Sequence, residues 1–267
     1  MEKYCLLGKK LSHSMSPFIH NELFNLSKKE GVYELLELEN LDNFNQIIEK
    51  YNSFNVTIPY KECVYKLCDS IDKSAIPYRA VNCVDKNRKG YNTDVDGFRK
   101  SVESIISSYD IKVLLLGFGG VGKMIAKQFN SEKLTIAIRN ITDEKIKDIK
   151  SFLGNGVTIV DIEKNILGNF DLIVNATPIG MYPNVDFSPI PMSVVKNSKA
   201  VYDTIYNPYQ TKLLEYAKEC NIPYKCGLDM LVYQAVVSHE YWYCAKFSSE
   251  DIRVLIKKVK DYMENRK

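Results

Sequence analysis

From the start of the chain to about residue 100, apolar positions switch between short runs with β-type spacing and stretches with helical spacing. YCLLG, VYELLEL and FNVTI read as strands, with helices over 17–29, 41–51 and 60–69, and RAVNCVDKNRKGYN reads as a hairpin. The first helix has a visible start, because Ser16 suits an N-cap and Pro17 has the φ of the first helical position. Residues 94–108, DVDGFRKSVESIISS, predict one amphipathic helix, which Tyr109-Asp110 breaks.

IKVLLLG follows, a continuous apolar run of the kind a parallel strand shows when both its faces are covered. The rhythm then repeats: helix 121–130, strand LTIAI, helix 142–152, strands VTIVDI, DLIVNAT and AVYDTIY, and helix 210–220. Tyr182 to Met192 holds three prolines and little periodicity and reads as a loop. Residues 228–246 and 249–265 read as two final helices that return to the first lobe. The expected fold class is therefore α/β in two lobes. Residues 1–101 with 233–267 form the first, and 102–232 form a Rossmann-type, doubly wound parallel sheet.

The composition fits that reading, with 45% hydrophobic and 26% charged residues, as in an ordinary globular chain. Basic and acidic residues nearly balance, 36 − 33 = +3, which is too little for a nucleic-acid footprint. The seven cysteines are odd in number, contain no C-x-x-C pair and lie mostly in apolar stretches, so buried free thiols are expected. His13, His20 and His239 share no metal-site spacing; no metal is expected, and all three read as structural. MEKYCLLGKK lacks a sustained apolar stretch, and no segment approaches the roughly 18 apolar residues of a membrane span. The expected location is the cytoplasm, without a membrane partner.

The sharpest local signal is Gly117-Phe118-Gly119-Gly120-Val121-Gly122, a G-x-G-x-x-G between a strand and a helix. Glycines there allow a tight turn and close approach of backbone to a pyrophosphate. At the end of the next strand, where a carboxylate would select NAD, stand Arg139 and Asn140; a cation at that place favours a 2′-phosphate and hence NADP. The first lobe carries polar clusters at 12–17, 55–61 and 90–94 that a core does not need. Carbonyl reduction needs a proton donor, and Lys61 beside Asp94 would be a natural pair. On spacing alone the simpler readings, Lys61 as a surface charge and Asp94 as a helix cap, carry more weight.

Eight ordered segments alter that balance: L-S-H-S-M-S-P-x-x-H-N (11–21), N-V-T-I-P-Y-K (55–61), A-V-N (80–82), N-T-D-x-x-G (92–97), G-F-G-G (117–120), N-A-T-P-I-G-M (175–181), Y-D-x-x-Y-N-P-x-x-T (202–211) and G-L-D-M-L-V-Y-Q-A (227–235). Together they closely resemble the shikimate dehydrogenase family over nearly the whole chain. The resemblance implies NADP-dependent, reversible reduction of 3-dehydroshikimate to shikimate, a step in aromatic amino-acid biosynthesis, in a cleft between the lobes. It implies that Ser14 and Ser16 hold the substrate carboxylate, that Thr57, Asn82 and Asp94 hold ring hydroxyls, and that Lys61 sits at the reacting oxygen. Tyr206 and Gln234 would close the substrate site. Gly117, Gly119, Gly120, Val121, Arg139 and Asn140 would hold the dinucleotide, with Thr177, Gly227 and Met230 near the nicotinamide.

Other readings stay open. Ser16 could only cap its helix, Tyr206 could be a strand-end packing residue, and Gln234, in an apolar stretch, needs some partner of its own. The chain also departs from the family pattern: Lys10-Leu11 replaces a Pro-Ile pair, and Pro178 follows Thr177 where Ser is usual. Arg139 lacks its usual preceding Asn, and Asp143 takes the place of a second cation, which Lys145 could supply. Two serines at the carboxylate site favour shikimate over quinate. The alternatives are a broad quinate/shikimate dehydrogenase using NAD, or a catalytically silent NADP-sensing module. The chain is expected to be a monomer or a homodimer.

Overall fold

The computed structural model describes residues 1–12, 14–164 and 166–265, so His13 lies outside the described residues. The chain forms two compact units, Met1–Gly97 with Leu231–Lys267, and Phe98–Met230. Among the described residues no helix is long and apolar enough to cross a membrane.

The first unit contains β1 (Glu2–Gly8), α1 (Ser16–Ser27), β2 (Gly31–Glu37), α2 (Phe44–Ile48), β3 (Ser53–Val56), α3 (Lys61–Leu67), β4 (Ser70–Ile71), β5 (Cys83–Val84), β6 (Lys89–Tyr91) and the start of α4 (Asp94–Val102). Its sheet runs β2-β1-β3-β5-β6-β4. The strands β1, β2 and β3 are parallel, whereas β5 is antiparallel to both β3 and β6. β1 reads as unbroken apolar because both faces are covered. Cys5 and Leu7 enter a core with Phe44, Phe54 and Val64, and Tyr4 and Leu6 enter another with Phe24, Tyr33 and Trp242.

The second unit continues with β7 (Val113–Leu116), α5 (Gly120–Ala126), β8 (Leu134–Ile138), α6 (Asp143–Leu153), β9 (Thr158–Asp161), β10 (Leu172–Asn175), α7 (Met192–Val195), β11 (Val201–Asp203), α8 (Lys212–Glu219) and β12 (Tyr224–Lys225). All its strands are parallel, in the order β12-β11-β10-β7-β8-β9. This is the doubly wound arrangement, with the topological switch between β7 and β10. α9 (Leu228–Tyr243) and α10 (Ser249–Glu264) close the chain. The latter starts at a capping box of Ser248 and Asp251, and Tyr262 stacks on Phe18 of α1 at 4.1 Å within the first unit.

Several local expectations are corrected. Ser16 is not the N-cap of α1: it lies inside the first turn, buried, and Ser14 Oγ accepts its N–H at 3.2 Å. The helix expected over 94–108 ends at Val102, where the backbone tightens into turns, because Ile105-Ile106-Ser107-Ser108 has little helix propensity. The helix expected over 41–51 shrinks to α2, and the two-residue strands β4 and β12 carry too few residues for a periodic signal. All seven cysteines are free, but only Cys5, Cys83 and Cys226 are buried; Cys63 and Cys244 are exposed. Apolar sequence neighbours do not decide which way a side chain on a helix points.

His20 of α1 and His239 of α9 meet inside the first unit, Nδ1 to Nε2 at 2.9 Å, both without exposure, and His20 stacks on Tyr33 at 3.9 Å. His239 Nδ1 bonds Tyr243 Oη, while His20 Nε2 has no partner. Burial keeps both rings neutral: His239 titrates at about 3 and His20 well below its usual value. The unfolded chain takes up these protons near pH 6.5 and the folded chain does not, so stability present above that pH is lost as pH falls. Each ring should cost about 2 kcal/mol by about pH 5. Thermal melts across this range should show Tm falling with pH, with the slope flattened in His20→Gln/His239→Gln. A wild-type Tm that holds constant to about pH 5 would contradict this account.

Candidate active site

In the first unit, the chain leaves β3 at Val56, and the Thr57 N–H bonds Leu7 O at 2.9 Å. Tyr60 is buried and donates its hydroxyl to Leu38 O at 2.5 Å, which fixes the start of α3, where Lys61 is the first residue. The Lys61 carbonyl accepts Val81 N–H at 3.0 Å. From the other side, Asn82 accepts the Thr93 N–H at 2.7 Å, and Asn92 accepts the Asp94 N–H at 3.2 Å, which together fix the first residue of α4.

These constraints bring Lys61 Nζ to 2.6 Å from Asp94 Oδ2, with the two side chains only 23% and 16% exposed. Asn82 Nδ2 donates to Asp94 Oδ1 at 2.9 Å and to Thr93 Oγ1 at 3.0 Å. Lys61 is therefore not a free surface charge, and the Asp94 carboxylate is engaged by Lys61 and Asn82 rather than by its own helix. A Lys–Asp pair of this kind can hold and return a proton beside a reacting oxygen.

Asn55, part of the 55–61 cluster but given no role from the sequence, anchors the site. Its Nδ2 donates to Asn82 O at 3.0 Å and Ser238 Oγ at 2.9 Å, and its Oδ1 accepts the Tyr33 hydroxyl at 2.9 Å. The signal was present: an Asn between Phe54 and Val56 in a buried strand must find partners. Thr57 is half-buried at the end of β3, and Ser14 stands at the entrance of α1 with its hydroxyl on the Ser16 N–H. Gln234 of α9 donates to Leu231 O at 2.8 Å, so the partner its amide required is its own helix backbone.

In the second unit, the glycine turn follows β7. Gly117 has φ +91°, and a Cβ there would lie 2.8 Å from Thr177 Cγ2; a Cβ at Gly122 would lie 2.5 Å from Gly117 O. Both positions require glycine for the turn itself, whereas a Cβ at Gly119 or Gly120 would meet nothing within 4 Å. Beside the turn lies a cavity of about 240 Å³, lined by Gly117, Phe118, Ile138, Arg139, Thr177 and Pro178 among others. It lies at the carboxyl ends of β7, β8 and β10, where doubly wound sheets bind dinucleotides, and the backbone N–H groups of the glycine turn suit a pyrophosphate. Gly119, Gly120, Val121, Asn140, Gly227 and Met230 do not line it. Met230 is buried, and the Gly227 N–H bonds Ile205 O at 3.0 Å.

Arg139 is exposed, and its Nε lies 3.3 Å from Glu163 Oε1, an acid that the sequence did not mark. Lys145 Nζ donates to the backbone carbonyls of Arg139 at 3.1 Å and Asn140 at 3.0 Å, which ties the start of α6 to the turn after β8. Asn140 has φ +52°, which turns the chain back toward α6. Tyr206 lies three residues beyond the end of β11 rather than at a strand end; it is half-buried, and burial raises its phenol above the usual range. Asp203 is fully buried, and desolvation pushes its carboxyl up to about 6 in spite of three hydrogen bonds.

The family model for the shikimate dehydrogenase substrate binding domain matches residues 6–84. The shikimate dehydrogenase (NADP(+)) of Caldicellulosiruptor saccharolyticus is 36% identical over 258 residues, covering 91% of this chain and 92% of that protein. Shikimate dehydrogenase 1 of Peptoclostridium difficile, a solved structure, is 33% identical with a TM-score of 0.85, over 97% of this chain and 98% of that one. The shikimate 5-dehydrogenase of Thermus thermophilus, solved in complex with NADP(H) and shikimate, is 25% identical with a TM-score of 0.82, over 97% and 100% of the two chains. With both units matched in sequence and in fold, the chain belongs to the shikimate dehydrogenase family.

Proposed function

We propose that the protein catalyses the reversible, NADP-dependent interconversion of 3-dehydroshikimate and shikimate. The observation that carries this reading is the Lys61–Asp94 pair at 2.6 Å, itself held by Asn82. In this reading residues 1–101 with 233–267 bind the hydroxy acid and 102–232 bind the dinucleotide. The complex of the Thermus thermophilus relative with NADP(H) and shikimate supports both ligands. Soluble cytoplasmic location follows from the same family reading.

When bound, NADPH supplies the hydride that reduces the ketone carbon. Lys61 holds a proton at the carbonyl oxygen and releases it as alkoxide charge develops; Asp94, 2.6 Å away, keeps the ammonium aimed. In the reverse direction the pair receives the hydroxyl proton. Asn82 acts first by fixing Asp94, since its amide already serves Thr93 and Asp94. Ser14 and Ser16 receive the substrate carboxylate, Thr57 and Asn82 the ring hydroxyls, and Tyr206 and Gln234 complete the binding set. Gly117, Gly119, Gly120 and Val121 take the pyrophosphate side of NADP, Arg139 and Asn140 its adenosine side, and Thr177, Gly227 and Met230 its nicotinamide side.

Lys61→Ala is expected to lower kcat about 10²–10⁴-fold, with little change in KM for the acid. Turnover near that of the wild type would remove Lys61 from the mechanism.

A second reading, a broader quinate/shikimate enzyme accepting NAD, draws support from Glu163 on Arg139, because the carboxylate competes with a 2′-phosphate for the guanidinium. Lys145 beside it favours the phosphate. Initial rates with shikimate and quinate, each paired with NADP and NAD, distinguish the readings. The largest kcat/KM is expected for shikimate with NADP, and Arg139→Ala should raise KM for NADP about tenfold while sparing NAD. Equal use of NAD or quinate would move the protein to the broader class. Silence in all four assays from folded protein that binds NADP would indicate a sensor.

A further inference from the structure

Asn175 and Asp203 end the adjacent parallel strands β10 and β11 as a register pair. Asp203 has no exposure and its partners are neutral donors: the Thr211 hydroxyl at 2.7 Å, the Ile205 N–H at 3.0 Å and Asn175 Nδ2 at 3.0 Å. A carboxylate only accepts, so it turns the donor end of the Asn175 amide toward itself. The acceptor end then faces Thr177, whose N–H and hydroxyl both donate to Asn175 Oδ1, at 2.9 Å and 2.7 Å. The Thr177 hydroxyl is thereby committed inward, where it also accepts the Ile179 N–H at 3.2 Å, and its methyl is aimed at Gly117. Thr177, Pro178 and Ile179 form one wall of the cavity beside the glycine turn.

We propose that Asp203 is a positioning residue for dinucleotide binding, acting through Asn175 to fix Thr177 at the cavity wall. Stability alone does not account for a carboxylate here. Burial penalises the charged form, as its raised titration reflects, and an apolar residue of similar volume would avoid that penalty. Orientation does account for it: Asn175 Nδ2 donates to Asp203 at 3.0 Å and, more weakly, to the Ile179 carbonyl at 3.3 Å, and the carboxylate is the stronger of the two acceptors that hold the donor end of the amide away from Thr177. The same carboxylate fixes Ile205, the residue before Tyr206, and Thr211, whose Oγ1 caps α8. Asp203 is buried away from ligands, so it acts only through these groups.

The proposal rests on the dinucleotide reading above, and direct binding separates the two. NADPH affinity is measured by its own fluorescence on the full chain for wild type, Asp203→Leu, Asp203→Asn, Thr177→Val, Thr177→Ser and Asp203→Leu/Thr177→Val. Shikimate affinity is measured in parallel. Asp203→Leu should weaken NADPH about tenfold and leave shikimate within about twofold, whereas Asp203→Asn, which keeps an acceptor toward Asn175, should stay within about threefold of wild type. Thr177→Val should match the tenfold loss, Thr177→Ser should not, and the double variant should be little worse than either single, because both act through one hydroxyl.

Wild-type protein that fails to bind NADPH would sink the dinucleotide reading and the proposal with it. Wild type that binds, beside Asp203→Leu of equal affinity, would sink the proposal alone. So would equal losses for Asp203→Leu and Asp203→Asn, a matching loss of shikimate, or multiplying effects in the double variant. Should the leucine chain not fold, Thr177→Val still decides: wild-type affinity there would mean that the link through which Asp203 acts carries no binding energy.

Discussion

An ammonium and a carboxylate withdrawn from bulk water stay charged only when each has a partner in good geometry. In the first unit that requirement falls on Lys61, Asp94 and Asn82, and much of the local architecture serves it. Asn82 precedes β5, the strand that runs antiparallel to β3, and its carbonyl takes the Val56 N–H at 2.8 Å, so the end of β3 and the start of α3 are set against the same residue that grips Asp94. Asn55 adds a second bond to that carbonyl from inside the sheet. A mixed sheet is what makes this possible: the antiparallel excursion through β5 and β6 returns the chain so that Asn82 and Thr93 lie side by side.

The second unit solves a related problem with neutral donors. Parallel strands end together at one edge of the sheet, and polar side chains placed there must satisfy one another if they are to be buried. Asn175 and Asp203 do so, and their mutual orientation propagates into the loop that walls the cavity. Gly117 lines the same cavity, and the glycines at 117 and 122 allow strand, turn and helix to approach more closely than a Cβ would permit. In both units the polar groups nearest the site are held by side chains one step further inside.

The elements themselves were legible to within a few residues because the periods of 2.0 and 3.6 are local properties of the chain. Errors fell where local propensity was weak or where partners were remote. α4 stopped early because Ile105 to Ser108 have little helix propensity, and Ser14 rather than Ser16 met the first free N–H of α1. Cys63 proved exposed because its neighbours in sequence say little about which face of α3 it occupies. The roles of Asn55 and Glu163 were missed for the same reason: Asn55 matters through Ser238 and Asn82, Glu163 through Arg139, and none of these partners is near in sequence.

The sequence by itself determined the α/β class, the glycine turn, the family, and the candidate residues Lys61, Asp94 and Arg139, because each rests on a local pattern or an ordered set of motifs. Spacing could not decide whether Lys61 and Asp94 were solitary surface groups or a pair. Thirty-odd residues separate them, and only the packing of α3 and α4 around Asn82 brings their charged atoms to 2.6 Å. The orientation of Asn175 and the pairing of Arg139 with Glu163 were likewise tertiary decisions. A side chain's identity states what it can donate or accept, whereas its partner is set by which strand ends and helix starts the fold brings together.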